Sequence, residues 1–175
     1  MLKTIRFLGT RAAEGLQLLH AADVVHCDIE RKNFFLDTYL NLKIADFSGS
    51  SLNGCQPSAC ANERFLHPDF DWRRQPIAQD NPFGLGSLIY FIMAGQYPFH
   101  ELASDEVEVN YKAHEFPDVG SIECGDIIKR CWNLKSGSAK EVLQSLQDKC
   151  RAIVPDSCSP ALLLHCLRVA RNAVM

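Results

Sequence analysis

The sequence lacks a long apolar run, a cluster of basic residues and a pair of cysteines spaced for metal. Its longest apolar stretch, residues 83–95, has about 13 residues including three glycines and is too short to cross a bilayer. The first residues also lack the uninterrupted apolar run of a signal peptide, so we expect an intracellular protein, cytoplasmic or nuclear. The net charge is −3 and no run of Lys and Arg occurs, so we expect neither nucleic acid nor a membrane as a partner.

The eight cysteines have no Cys-x-x-Cys spacing, and their other spacings match no common zinc pattern. Without a secretory signal, a framework of disulfides is not expected either. We therefore interpret the cysteines as reduced thiols, several of them packed in the core as small hydrophobic side chains.

Apolar periodicity predicts a mainly helical chain, α+β overall, of about one domain in its 175 residues. Residues 83–93 are apolar nearly all round and predict a buried helix, capped by Asp80 or Asn81 and ended by Gly95. Residues 48–58, rich in Ser, Gly, Asn, Cys and Pro, predict a mobile loop. The other predicted helices are 4–20, 104–112, 126–132, 138–146 and one from 159, and the predicted strands are 24–25, 33–37 and 42–45.

One stretch before the predicted loop has a recognisable pattern of polar residues. It contains His26-Cys27-Asp28, then Asn33 five residues after Asp28, and then Asp46-Phe47-Ser48-Gly49, which begins thirteen residues after Asn33. This pattern resembles the catalytic loop and metal loop of the protein kinase family. In that family His-Arg-Asp is followed by Asn and, after a short hairpin, by Asp-Phe-Gly.

The resemblance implies chemical roles for three of these residues. Phosphoryl transfer needs a carboxylate to orient the acceptor hydroxyl, and it needs oxygen ligands that hold Mg²⁺ against the phosphates of ATP. Asp28 would be the catalytic residue that accepts the hydroxyl proton. Asn33 and Asp46 would bind magnesium and, through it, the nucleotide. ATP and Mg²⁺ are therefore the implied cofactors.

The apolar residues of the same stretch also have implied places. Residues 34–36, with Phe35 at their centre, would form the floor under the adenine ring and so contribute to nucleotide binding. His26 and Phe47 would pack into the core beneath the two loops, since both flank apolar residues. If the floor were exposed, it would offer a protein partner an apolar face.

The resemblance continues along the chain. Residues 65–69 fall where the family has its Ala-Pro-Glu segment, and residues 81–86 resemble the start of its buried central helix. We therefore expect a protein-kinase-like C-terminal lobe over residues 1–148, with a small β-hairpin that carries the catalytic and metal loops. Residues 149–175 are expected to add a helical extension.

The sequence also departs from the family pattern. It has no glycine-rich phosphate loop and no Val-Ala-Ile-Lys lysine, so we expect the N-terminal lobe to be absent from this chain, and the chain alone not to turn over ATP. Cys27 replaces the family arginine, and Asn62 replaces a threonine that helps position the catalytic Asp. Glu30 stands where serine/threonine kinases have a lysine, and a carboxylate there would repel phosphate. Lys32, two positions later, is the candidate catalytic cation that would compensate.

Two functions therefore stay open. The retained Asp28, Asn33 and Asp46 indicate a protein kinase domain that transfers phosphate to a protein substrate. The departures indicate a pseudokinase-like, non-catalytic scaffold, whose protein partner would cover the apolar floor. The geometric condition for the enzyme is that Asp28, Asn33 and Asp46 converge on one open face.

Overall fold

The chain consists mainly of helices, with short strands between the first two. The computed structural model describes residues 2–39 and 41–153, with side chains for residues 7–39 and 41–152. The helices in this part are α1 (Leu2–Ala21), α2 (Asn81–Ala94), α3 (Ser104–Lys112), α4 (Gly125–Trp132) and α5 (Ala139–Ile153), and the strands are β1 (Val24–Val25), β2 (Phe34–Leu36), β3 (Leu42–Ile44) and β4 (Ser51–Leu52). None of these helices has both the length and the apolar character that a bilayer crossing requires. Helices with two small antiparallel sheets agree with the predicted α+β class.

Helix α2 lies at the centre of the core. Its residues 81–90 are all buried, as the apolar sequence predicts, and α1, α4 and α5 pack around it. Trp132 of α4 is 1% exposed and donates its indole Nε1–H to Ser87 Oγ of α2 at 2.9 Å. The helix ends at Gly95, whose φ of 74° is the left-handed conformation that glycine adopts without strain.

The predicted side-chain cap of α2 is wrong, because both candidate residues have other partners. The Asp80 carboxylate accepts the Ile77 N–H at 2.8 Å and pairs with Arg74 at 2.5 Å. The Asn81 amide nitrogen lies 2.9 Å from His20 Nε2 of α1. These polar contacts connect the start of α2 to the preceding turn and to α1, so the helix is positioned by tertiary contacts instead of its own cap.

Helix α5 begins as predicted but is longer. The Glu141 N–H donates to Ser138 Oγ at 3.3 Å, which caps the first turn. The helix then continues to Ile153 instead of ending near residue 146, because its apolar face stays packed against α1. The boundary predicted at residue 148 falls within α5 and stays a prediction. The helix predicted from residue 159 lies outside the described residues.

The predicted hairpin forms beside α1. Strands β2 and β3 pair antiparallel, with Phe34 opposite Ile44. Ile44 reaches α1 at Gly15, where a Cβ would lie 2.7 Å from Ile44 Cδ1. A side chain at position 15 would require the end of the Ile44 side chain to move, so Gly15 favours the close packing of the hairpin on the helix.

Part of the predicted loop 48–58 is a strand. Strand β4 pairs antiparallel with β1, with Val24 opposite Leu52 and Val25 opposite Ser51. Ser51 is fully buried and donates its hydroxyl to the Cys55 main-chain oxygen at 2.5 Å. The composition of the segment predicts a loop, but pairing with a distant strand satisfies its backbone groups.

The thiols differ in environment, which predicts a difference in reactivity. Burial raises the pKa of the fully buried Cys131 to about 12, whereas Cys55 is exposed. We expect iodoacetamide at pH 8 to alkylate Cys55 at least about a hundredfold faster than Cys131, because the thiolate is the nucleophile and must be accessible. Peptide mass spectrometry measures both alkylation rates. In urea, which unfolds the protein, the two rates should become similar. Equal rates in the folded protein would contradict the assigned burial of Cys131.

Candidate active site

Three of the predicted site residues are in direct contact. Asp28 is 6% exposed, and the Asn33 amide Nδ2 donates to its Oδ2 at 3.0 Å and to its main-chain oxygen at 2.9 Å. The Lys32 ammonium lies 3.1 Å from the same Oδ2. A single 3₁₀ turn, Arg31–Asn33, brings both side chains back to Asp28. Asp28, the candidate proton acceptor, is therefore in contact with a candidate metal ligand, Asn33, and with a cation, Lys32.

The second carboxylate oxygen of Asp28 is unusual. Oδ1 is buried and has no hydrogen-bond partner in the described part of the chain. An unpaired buried acceptor costs about 1–3 kcal/mol, so such atoms are rare in folded proteins and occur where a ligand or water binds. Because Oδ2 is held by Asn33 and Lys32, the carboxylate is fixed in orientation. The carboxylate therefore has one oxygen in contact with Asn33 and Lys32 and one buried oxygen without a described partner.

His26 connects the loop of Asp28 to the end of β3. It is fully buried, and its Nδ1 accepts the Asp28 N–H at 3.4 Å. The proton is therefore assigned to Nε2, which donates to the Ala45 main-chain oxygen at 3.0 Å. The Ala45 N–H donates in turn to the Asn33 main-chain oxygen at 2.9 Å. These bonds place Asp46, the next residue, beside the Asp28 loop.

Asp46 is exposed and charged. Its φ of 60° is left-handed, a conformation that aspartate tolerates better than most residues. The Ser48 hydroxyl donates to Asp46 Oδ1 at 2.6 Å and holds the pKa of Asp46 below its usual range, and the positive charge of Lys32 acts in the same direction. Asp46 is thus a carboxylate over the whole physiological pH range.

The donor set around Asp46 and Asn33 fits a magnesium ion. Carboxylate and amide oxygens are ligands that Mg²⁺ accepts, and the Asn33 nitrogen is already bonded to Asp28, so its amide oxygen is the atom left for a cation. No group of three or more His, Cys, Asp or Glu side chains able to hold a metal occurs in the described ranges. A cation here would therefore share its coordination with ligand oxygens, as Mg²⁺ commonly does with phosphates.

Comparison with known proteins identifies the family of this chain. The model of the protein kinase domain matches residues 2–152. The chain belongs to the protein kinase family. Among curated relatives, it is 27% identical over 161 residues to RAC-beta serine/threonine-protein kinase of Homo sapiens, which covers 79% of this chain and 32% of the relative. It is 29% identical over 156 residues to mitogen-activated protein kinase kinase kinase 15 of Mus musculus, covering 81% of this chain and 12% of the relative. The chain spans about a third or less of the curated relatives it matches.

Glu30, which replaces a lysine of serine/threonine kinases, has a different environment from the one expected. Its carboxylate accepts the main-chain N–H of Asn62 at 2.5 Å and lies 3.4 Å from the Lys32 ammonium. The charge expected to repel phosphate is therefore already bound to two donors. No local pattern could predict this contact, because the two residues are 32 positions apart.

Cys27, which replaces the arginine of the kinase His-Arg-Asp motif, is bonded within its own loop. It has a left-handed φ of 66°, and its thiol donates to the Val25 main-chain oxygen at 3.2 Å. Burial raises the pKa of this thiol. Cys27 is thus a neutral group and contributes no positive charge to this kinase domain.

The three residues of the proposed apolar floor differ in exposure. Strand alternation places Phe35 on the face opposite Phe34, so residues 34–36 do not share one face. Phe34 packs against the core, whereas Phe35 is 54% exposed. The predicted burial of Phe47 is wrong, since it is 45% exposed and its ring contacts the His26 ring at 5.2 Å. His26 occupies the buried position beneath the loops, as predicted.

Proposed function

We propose that this kinase domain transfers the γ-phosphoryl group of ATP, in the presence of Mg²⁺, to a hydroxyl group of a protein substrate. One observation carries the proposal: Asp28 is held through Oδ2 by Asn33 and Lys32, while its Oδ1 is buried and unpaired. In this proposal the 175 residues contribute the C-terminal lobe, with the acceptor-side and metal-binding half of the cleft. The glycine-rich loop and its lysine would come from an N-terminal lobe outside this sequence.

The roles of the side chains follow from their contacts. The Asp28 carboxylate accepts the hydroxyl proton as the acceptor oxygen attacks phosphorus, which makes Asp28 a general base. The Lys32 side chain is 57% exposed, and its ammonium, 3.1 Å from Asp28, stabilises the negative charge of the transferring phosphoryl group. Asn33 and Asp46 would hold Mg²⁺, which neutralises phosphate charge when bound.

A specific observation favours the scaffold as a second candidate. Phe35 and Phe47 are about half exposed beside the catalytic loop, and exposed aromatic side chains of this size are typical of contact surfaces. In the enzyme, an adenine ring and an N-terminal lobe would cover these rings. In the scaffold, a partner protein would cover them without phosphate transfer. The neutral Cys27 agrees with either candidate.

Metal binding at the proposed position can be tested with Mn²⁺–ATP, a paramagnetic probe that replaces Mg²⁺–ATP. We expect it to broaden the NMR signals of Asn33 and Asp46 selectively, because broadening falls steeply with distance from the ion. The Asp46→Asn variant should lose most of this broadening, since a neutral amide is a weaker ligand than a carboxylate. The Asp105→Asn variant, altered at an exposed aspartate of α3, should match the unaltered chain. Broadening that persists in Asp46→Asn would contradict the assigned metal position.

A further inference from the structure

Glu30 forms a bridge with its two carboxylate oxygens. Oε1 accepts the Asn62 N–H at 2.5 Å, and Oε2 lies 3.4 Å from the Lys32 ammonium. Glu30 itself is only 8% exposed, so its carboxylate is largely shielded from water, whereas the side chain of Lys32 is mostly in solvent. The two oxygens thus connect two different parts of the chain, the loop of Asp28 and the segment that contains Asn62.

The segment in question, residues 59–66, is attached on both sides. On one side, the Arg64 guanidinium donates to the main-chain oxygens of Phe99 at 3.3 Å and Leu102 at 2.6 Å. On the other side, the Ala61 N–H donates to the Cys27 main-chain oxygen at 3.2 Å, beside the contact between Asn62 and Glu30. The bond to Glu30 is charge-assisted, and such bonds are stronger than those between neutral groups.

Lys32 needs this support, because its side chain is long and mostly in solvent. The side chain is 57% exposed, and its ammonium lies beside two carboxylates, those of Asp28 and Glu30. Holding one rotamer of a lysine costs conformational entropy, so two anionic partners define its position better than one.

We infer that Glu30 is a positioning residue that couples residues 59–66 to Lys32, and through Lys32 to Asp28. When the segment is in place, its Asn62 N–H holds Glu30, and Glu30 holds Lys32 beside Oδ2 of Asp28. When the segment moves away, Lys32 loses one of its two anionic partners. The inference rests on the proposed function only for the role of Lys32 toward phosphate, because the coupling itself needs no nucleotide.

Two variants separate the two halves of the bridge. Glu30→Ala removes both contacts, and we expect the Asn62 amide to exchange with deuterium about tenfold faster or more, together with a lower pKa of Lys32. Glu30→Gln keeps an oxygen for the Asn62 N–H but removes the charge. Its Asn62 exchange should stay within about threefold of the unaltered chain, while the pKa of Lys32 still falls. NMR measures both, the second on ¹³C-methylated lysines.

The matched control is Glu141→Ala. The Glu141 carboxylate, in the first turn of α5, also accepts a main-chain N–H, that of Gly137 at 2.9 Å. This variant should speed exchange at Gly137 alone and leave the pKa of Lys32 unchanged.

The inference is overturned if Glu30→Ala leaves Asn62 exchange unchanged, or if Glu30→Gln leaves the pKa of Lys32 unchanged. If Glu30→Ala does not fold, the Gln variant decides alone. If Mn²⁺–ATP does not broaden the NMR signals of Asn33 and Asp46, that result contradicts the proposed function but not this coupling.

Discussion

Asp28→Asn is expected to lower phosphate transfer from Mg²⁺–ATP by about a thousandfold, within the usual range for loss of a general base. Asparagine has almost the same shape and keeps an oxygen for the Asn33 amide, so the loop should retain its structure. What it loses is the basicity of the carboxylate, which would take the hydroxyl proton. The attraction that holds Lys32 at 3.1 Å also disappears.

The assay uses the native protein from its own cells, tagged at its C-terminal end, with a mixture of proteins as phosphate acceptors. The control is Asp105→Asn, which makes the same chemical change at an exposed aspartate in the first turn of α3 and should transfer at the unaltered rate. The 175-residue chain assayed alone should show no transfer that depends on Asp28, because its sequence has no glycine-rich loop. Equal transfer by the native protein and its Asp28→Asn variant would contradict the enzyme and favour the scaffold.

Trp132→Ala is expected to lower the free energy of unfolding by about 3–5 kcal/mol, the range for removing a large aromatic side chain from a core. Trp132 is 1% exposed, and its ring stacks on that of Phe116, with centroids 5.5 Å apart and the planes 15° from parallel. The ring of Tyr90 contacts it from α2. The substitution also leaves the buried Ser87 hydroxyl without its donor. Domains of this size have total stabilities of about 5–15 kcal/mol, so the variant should be close to unfolding.

The second tryptophan of the chain provides the control. Trp72 is 47% exposed, and its ring contacts Phe70 at the surface. Trp72→Ala should change the free energy of unfolding by less than about 1 kcal/mol. Urea titrations followed by far-UV circular dichroism measure both variants under the same conditions. A loss in Trp132→Ala no larger than that in Trp72→Ala would contradict the central place of Trp132.

The sequence by itself determined the features that depend on neighbours along the chain. The apolar residues 83–93 predict the buried helix α2, because a helix apolar all round can only be buried. The acidic segment from Ser104 to Lys112 predicts α3 with the same bounds. The resemblance of the pattern Asp28, Asn33 and Asp46 to the two kinase loops implies a short hairpin between Asn33 and Asp46, and strands β2 and β3 form it.

Only the tertiary structure decided the contacts between distant segments. Glu30 is an unfavourable charge in the sequence and a bridge in the structure, because its partner Asn62 approaches from 32 positions away. Residues 51–52 are a strand because β1 lies beside them, and Asp80 is no helix cap because Arg74 and Ile77 take its carboxylate. Local propensity contributes tenths of a kcal/mol to about 1 kcal/mol per residue, so a buried partner from elsewhere in the chain can override it.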